Sequence, residues 1–116
     1  LVLDALHRTD AQLEQLWTWL QADPQYAGKT TLVLTVDHGR GRTARDWSDH
    51  GAEVVGAEET WLGCFGPTVT ARGESTDAGP FHQRQIAGTM AAILGRDFQK
   101  AVPGAAVPLA ACAGGR

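Results

Sequence analysis

Apolar side chains recur every three or four positions over residues 2–22, and polar residues fill most of the positions between them. The apolar set is Leu3, Leu6, Leu13, Leu16, Trp17 and Leu20. This spacing places one apolar stripe along a single face of an α-helix. Asp23 precedes Pro24, and the residue before a proline is disfavoured in the helical conformation, so we expect the helix to end there.

Residues 31–36 follow a different pattern, a run of apolar and β-branched side chains that stops at Asp37. Such a run predicts a strand buried on both faces, as in a parallel or mixed sheet with helices on each side. Residues 60–65 predict a second strand, and residues 81–94 predict a helix followed by a C′ glycine, Gly95. The apolar stripe of that helix is Ile86, Met90, Ile93 and Leu94. A helix, a short loop and a buried strand form half of an αβ repeat, so the predicted fold class is α/β.

The composition limits the chain to one domain with a modest core. Its 116 residues are 43% hydrophobic and 20% charged, which is ordinary for a soluble globular protein. The net charge of −3 and the lack of a basic patch with interleaved aromatic residues argue against a nucleic-acid-binding footprint. No apolar run reaches membrane-spanning length.

The two cysteines and the two ends of the chain prompt further expectations. Two cysteines are too few for a disulfide framework, and Cys64 lies in an apolar stretch, which favours a buried free thiol over half of a bridge. Residues 99–116 are rich in Ala, Pro and Gly and are expected to form a tail. The chain starts at Leu1 inside helical periodicity, which indicates that upstream sequence is missing.

The candidate chemistry lies at the end of the first predicted strand, where ligands bind in open α/β sheets. Asp37 and His38 can each give one ligand atom to a divalent metal. Neighbouring side chains on a strand point to opposite faces, so both reach one ion only if the backbone turns, which Gly39 and Gly41 allow. Asp-His-Gly is also typical of an ordinary loop start, with the carboxylate bonded to turn amides. His82, in the first turn of the second helix, is expected to face solvent rather than a metal.

Residues 40–59 form a long polar loop, and loops of this length are usually functional or disordered. Trp47 favours order, because a large aromatic side chain generally anchors a loop. His50 precedes Gly51 and repeats the pairing of His38 with a glycine, which makes it a candidate second histidine ligand, although an ordinary surface histidine fits the spacing as well. Guanidinium groups in the loop could hold an anionic substrate, but arginines are more often solvated. They belong to Arg40, Arg42 and Arg45.

Four segments in a defined order carry a resemblance to a known family. They are Thr30 to Gly41 (TTLVLTVDHGRG), Asp46 to Gly51 (DWSDHG), Thr60 to Pro67 (TWLGCFGP) and Gln85 to Gly95 (QIAGTMAAILG). Together they resemble the C-terminal part of the alkaline phosphatase superfamily, which includes phosphatases, phosphodiesterases, sulfatases and cofactor-independent phosphoglycerate mutases. The ordered combination is more specific than any one segment.

The resemblance implies an architecture. Residues 1–98 would be the C-terminal part of an alkaline phosphatase-like catalytic domain whose N-terminal part is missing, followed by the tail at 99–116. The fold would be a fragment of a three-layer α/β/α sandwich with a mostly parallel central sheet. Residues 31–36 would be central in that sheet, with residues 61–65 beside them.

The resemblance also implies an activity, that of a metal-dependent hydrolase acting on a small-molecule phosphate or sulfate ester. Members bind two divalent ions, for which zinc or manganese suits the ligand types here. Asp37 and His38 would bind the ion that also holds a Ser or Thr nucleophile, and His50 would bind the other. The nucleophile and the remaining ligands would lie upstream, so this piece is expected to be inactive without the missing half of its domain.

A second hypothesis comes from a different class of protein. The chain could be a non-catalytic α/β module in which Asp37, His38 and His50 stabilise loops or bind a single structural ion. The compartment is not fixed by the sequence, although exported relatives favour a periplasmic or secreted protein.

Overall fold

The structure, a computed structural model, describes residues 2–75, 79 and 81–114, and these residues mix helices and strands. The elements in chain order are α1 (Val2–Ala22), β1 (Leu32–Thr35), β2 (Leu62–Phe65), a 3-10 turn (Gln83–Gln85), α2 (Ile86–Ile93), α3 (Phe98–Ala101) and α4 (Ala110–Ala113). Both predicted helices and both predicted strands are present, the second helix as the 3-10 turn followed by α2. No helix in the described ranges combines the length and the apolar character needed to span a bilayer.

The sheet differs from the prediction. Strands β1 and β2 pair antiparallel, with Leu32 opposite Phe65 and Thr35 opposite Leu62. A mostly parallel sheet between two helical layers is therefore not what the described residues form. Strand β1 is half-buried throughout instead of buried on both faces. The apolar composition of a strand indicates how much surface it can bury, but it carries no information on the direction of its neighbour.

Helix α1 ends at Ala22, as Asp23 and Pro24 predict. The Asp23 carboxylate accepts a hydrogen bond from the Gln25 amide at 2.8 Å, which stabilises the turn after the helix. The helix buries none of its side chains. Its exposed apolar residues are Val2, Leu3, Leu6, Leu16 and Trp19. The apolar stripe that the sequence predicts is therefore present but only partly covered, because Leu13, Trp17 and Leu20 are half-buried.

Helix α2 ends in the motif that Gly95 predicts. Gly95 adopts a left-handed φ of 70°, its amide donates to Ala92 O at 2.9 Å, and the Arg96 amide donates to Ala91 O at 2.8 Å. These are the two hydrogen bonds of a Schellman motif. The predicted apolar stripe is only partly buried, because Met90 and Leu94 are 53% and 74% exposed.

The most buried side chains pack against the other face of α2. Thr89 is fully buried, and Leu109 and Cys112 are almost fully buried. The Thr89 hydroxyl donates to Gln85 O at 2.7 Å and accepts the Leu109 amide at 2.9 Å. Gly88 lets the chain approach closely, because a Cβ there would lie 3.1 Å from Ala106 O. Thr89, Leu109 and Cys112 thus form a buried group, here called the C-terminal cluster, in which only Leu109 has a large apolar side chain.

The expectation of a free thiol at Cys64 is wrong, because Cys64 and Cys112 form a disulfide across a sequence separation of 48 residues. The bridge joins strand β2 to helix α4. A count of two cysteines does not exclude a single bridge. Cys64 and Cys112 come together only because the C-terminal segment folds back onto β2, and local sequence does not show that. Residues 98–113 are folded onto the domain and not extended from it, while 115 and 116 lie outside the described residues.

Candidate metal centre at the end of strand β1

Asp37 and His38 lie two and three residues beyond the end of β1, and their side chains face each other. The Asp37 Oδ2 and His38 Nε2 atoms are 3.5 Å apart. The other carboxylate oxygen, Oδ1, accepts the His38 backbone amide at 3.0 Å. The chain leaves the strand after Thr35, so the alternation that would separate neighbouring side chains no longer applies.

The His38 ring is oriented by its second nitrogen. Nδ1 lies 2.8 Å from Gly39 O, and a carbonyl oxygen only accepts, so Nδ1 carries the proton in that bond. In the neutral ring the Nε2 lone pair then faces a carboxylate oxygen. Two electron-rich atoms in this position attract a cation between them, either a proton or a metal ion.

The donor pair fits a single metal ion. Zinc bonds to His nitrogen and carboxylate oxygen are about 2.0–2.2 Å long, and at a tetrahedral angle they hold the two donors about 3.4 Å apart. The separation of Asp37 Oδ2 from His38 Nε2, 3.5 Å, is close to that value. Histidine ligands usually donate their other ring N–H to a carbonyl or carboxylate, as His38 does to Gly39.

His50 lies beside His38, although twelve residues separate them in the sequence. The two imidazole rings are stacked, with centroids 4.1 Å apart and planes inclined by 22°. The structure therefore brings together all three residues that the sequence singles out. They do not form one ligand set, however, because no three His, Cys, Asp or Glu side chains within residues 2–75, 79 and 81–114 converge on a common ion position.

Backbone hydrogen bonds fold the 40–59 loop back over the strand end. The Gly39 amide donates to Ala57 O at 2.7 Å, and the Gly41 amide donates to Asp49 O at 3.1 Å. A Cβ on Gly39 would overlap the carbonyl oxygens of Gly56 and Glu59. Neither Gly39 nor Gly41 has a left-handed φ, so close backbone approach, and not conformational freedom, requires glycine here.

A side-chain cap shapes the middle of the loop. The Asp46 carboxylate accepts the Thr43 hydroxyl at 2.7 Å and the Thr43 amide at 2.8 Å. These hydrogen bonds favour the charged carboxylate and lower the pKa of Asp46 below 3.8, with the hydroxyl contributing most. The cap closes the turn four residues before His50.

Two of the loop arginines have protein partners. Arg42 forms an ion pair with Glu59 across the base of the loop. The Arg40 guanidinium lies 5.9 Å from the centre of the Trp47 ring, a cation–π distance, while Trp47 itself is half-exposed. Both contacts hold the loop together. The suggestion that these arginines bind an anionic substrate stays a prediction.

A cavity of about 240 Å³ opens beside the Asp37–His38 pair. It is lined by Asp37, His38, Ala57, Glu58, Thr60, Phe81, His82 and Gln83. His82 is exposed, as the sequence predicts, but it shares this cavity with His38. Residues 81–83 are the part of the site that sequence reasoning missed, because a polar helix start gives no sign of which strand it will contact.

Comparison with known proteins adds no match. No family model, no curated protein and no solved structure is similar to this chain. The resemblance to the alkaline phosphatase superfamily therefore stays a prediction, carried by the four sequence segments.

Proposed function

We propose that this chain contributes part of a two-metal site to a hydrolase that acts on phosphate or sulfate esters. The observation that carries the proposal is the stacking of His38 on His50. Ions in two-metal sites lie about 3.5–4 Å apart. Two nearly parallel imidazoles whose centroids are 4.1 Å apart can present one nitrogen to each of two such ions.

The three residues then have distinct roles. Asp37 and His38 hold one ion, because their donor atoms are 3.5 Å apart and face each other. His50 holds the second ion from the neighbouring ring. When bound, such a pair of ions stabilises the attacking and leaving oxygens of an in-line displacement and neutralises the charge that develops on the transferred group. Gly39 fixes the His38 ring by accepting its Nδ1 proton.

These three residues provide only part of the site. Stable ion sites usually take three or four protein donors each, and three donors shared by two ions fall short of that number. The proposal therefore places the nucleophile and the remaining ligands in another part of the same catalytic domain. It includes the three-layer α/β/α sandwich, in which the β1–β2 pair would join a larger, mostly parallel sheet. This chain alone is then expected to have no esterase activity.

The proposal also includes export of the protein to the periplasm or the cell exterior. The Cys64–Cys112 disulfide supports this part of it. Disulfides persist in secreted and periplasmic proteins and are rare where thiols are kept reduced. The bridge closes a loop of 48 residues and links β2 to the C-terminal helix, so it is part of the fold's framework. Imidazole and carboxylate donors suit zinc or manganese.

Calorimetry with zinc and manganese tests the proposal on the full chain. We expect binding that is abolished in Asp37→Ala and His38→Ala and weakened in His50→Ala. His7→Ala is the matched control, because His7 is an exposed histidine of helix α1. Binding that is unaffected by all three site substitutions would reject the proposal. Binding of a single ion with an affinity that is unchanged in His50→Ala would favour the non-catalytic module with one structural ion.

A further inference from the structure

Gln83 connects the 3-10 turn before α2 to the strand end that carries the metal donors. Its Nε2 atom donates to Val36 O at 2.7 Å and to Asp37 O at 2.8 Å. Both partners are carbonyl oxygens, which only accept, so the atom that contacts them must be the amide nitrogen with its two protons. The orientation of the side-chain amide is therefore fixed by its partners.

These two hydrogen bonds join parts of the chain that are 46 and 47 residues apart in sequence. They hold the chain just beyond the last β1–β2 backbone pair, because the last paired residue of β1 is Thr35. The Asp37 carbonyl belongs to the peptide group that links Asp37 to His38. A donor bound to that carbonyl restricts rotation of the peptide and therefore the relative direction of the two side chains.

The turn that carries Gln83 is itself held from the other side. Gln85, two residues later, donates its Nε2 to Val107 O at 3.0 Å. Val107 lies two residues before Leu109, whose amide binds the buried Thr89 hydroxyl. The position of Gln83 is thus set by the C-terminal cluster, which contains the best-buried side chains of the described chain.

We infer that Gln83 is a positioning residue for the Asp37–His38 metal-binding pair, an inference that rests on the proposed function. Gln83 is exposed, so its two hydrogen bonds and not its burial define its effect. Through them, the C-terminal cluster determines the geometry of donors that lie more than forty residues earlier. Phe81 and His82, which precede Gln83 in the chain, line the same cavity as Asp37 and His38.

The test compares Gln83→Met, which keeps the length of the side chain but removes its N–H donors, with the matched control Gln99→Met. Gln99 makes the same kind of bond, from Nε2 to Ala105 O at 3.0 Å, but within the C-terminal segment. Partners in the second coordination shell typically change metal affinity about 10–100-fold. We expect a zinc affinity reduced by about that factor in Gln83→Met and unchanged in Gln99→Met.

A second readout separates this inference from the proposed function. In the zinc-free chain, NMR follows the amides of residues 36–38 and the ring-to-ring contacts between His38 and His50. If the parent chain binds neither zinc nor manganese, the proposed function fails, but shifts at these signals in Gln83→Met alone still support the positioning role. Unchanged signals in that variant overturn it, whatever the zinc result.

Folding is checked by thermal unfolding of each variant. If Gln83→Met does not fold, Gln83→Asn replaces it, because the shorter amide keeps its donors but cannot reach both carbonyls. We expect Gln83→Asn to show the same NMR shifts and a weakened zinc affinity. Behaviour of Gln83→Asn identical to that of the parent chain would contradict the inference.

Discussion

Helix α1 and the C-terminal segment, residues 86–113, differ in how far their side chains are buried. Helix α1 has 21 residues and a regular apolar stripe, yet it buries none of its side chains. The C-terminal segment has helices of only four to eight residues and is rich in alanine, yet Thr89, Leu109 and Cys112 are 0%, 4% and 3% exposed. From this contrast we expect that long-range links, namely the disulfide and the buried Thr89 hydroxyl, stabilise this chain more than its longest amphipathic helix does.

The largest expected effect is the loss of the disulfide that ties the C-terminal segment to β2. Closing a loop of 48 residues constrains the unfolded chain, and the chain-entropy relation gives about 4 kcal/mol for a loop of this size. We expect Cys112→Ser to lower the free energy of unfolding by about that amount, measured by urea denaturation. The parent chain under a reductant should match the variant, which should itself be insensitive to reductant. Equal stability with and without the bridge would remove the main distinction between the two regions.

Two threonines allow a matched comparison between the regions. Thr89 and Thr9 each donate their hydroxyl to the carbonyl four residues earlier, but Thr89 is fully buried and also accepts the Leu109 amide, whereas Thr9 is exposed. Thr89→Val leaves a buried amide unpaired and should cost about 1–3 kcal/mol of unfolding free energy. Thr9→Val should change it by less than about 0.5 kcal/mol. Similar losses in both variants would contradict the comparison.

Acid should loosen the loop between the two regions before it affects the C-terminal segment. Hydrogen bonds from Thr43 lower the pKa of Asp46 below 3.8, so the cap stabilises the folded loop above about pH 4. That stabilisation is lost as the pH falls through the lowered pKa. NMR should show shifts at Thr43 and Asp46 at low pH while the Thr89 signals stay in place. Thr43→Ala should raise the pKa of Asp46, and Asp46→Asn should abolish this step.

The smallest expected effect is in α1. Leu6 is 57% exposed, so Leu6→Ala removes few contacts and should change the unfolding free energy by less than about 0.5 kcal/mol. Leu109→Ala, the same substitution in the C-terminal segment, should cost about 2–4 kcal/mol because it creates a cavity beside α2. Denaturation of the two variants side by side measures the difference. A large loss from Leu6→Ala would show that α1 is covered in solution.

Local signals in the sequence predict several features well. The spacing of leucines and the Asp23-Pro24 pair give the bounds of α1, and Gly95 marks the end of α2. The apolar run that ends at Asp37 places the candidate site at the end of β1. In each case the signal comes from residues within one turn or one strand of the feature.

The features that the sequence did not predict all depend on distant segments meeting. The antiparallel pairing of β1 with β2, the Cys64–Cys112 bridge and the contacts of Gln83 with the strand end link residues 27 to 48 positions apart. Strand composition, a count of cysteines and a polar helix start do not carry that information. The buried face of α2 is centred on Gly88 and Thr89, which an apolar pattern cannot reveal.

The most direct test of the metal site is a zinc titration followed on the imidazole signals of the four histidines, His7, His38, His50 and His82. The proposal predicts that the His38 and His50 rings shift together as zinc is added, since they are stacked 4.1 Å apart, while the His7 ring on α1 stays in place. Equal small shifts at all four rings, or no shift at His38 and His50, would contradict the proposal that this pair, with Asp37, binds metal ions.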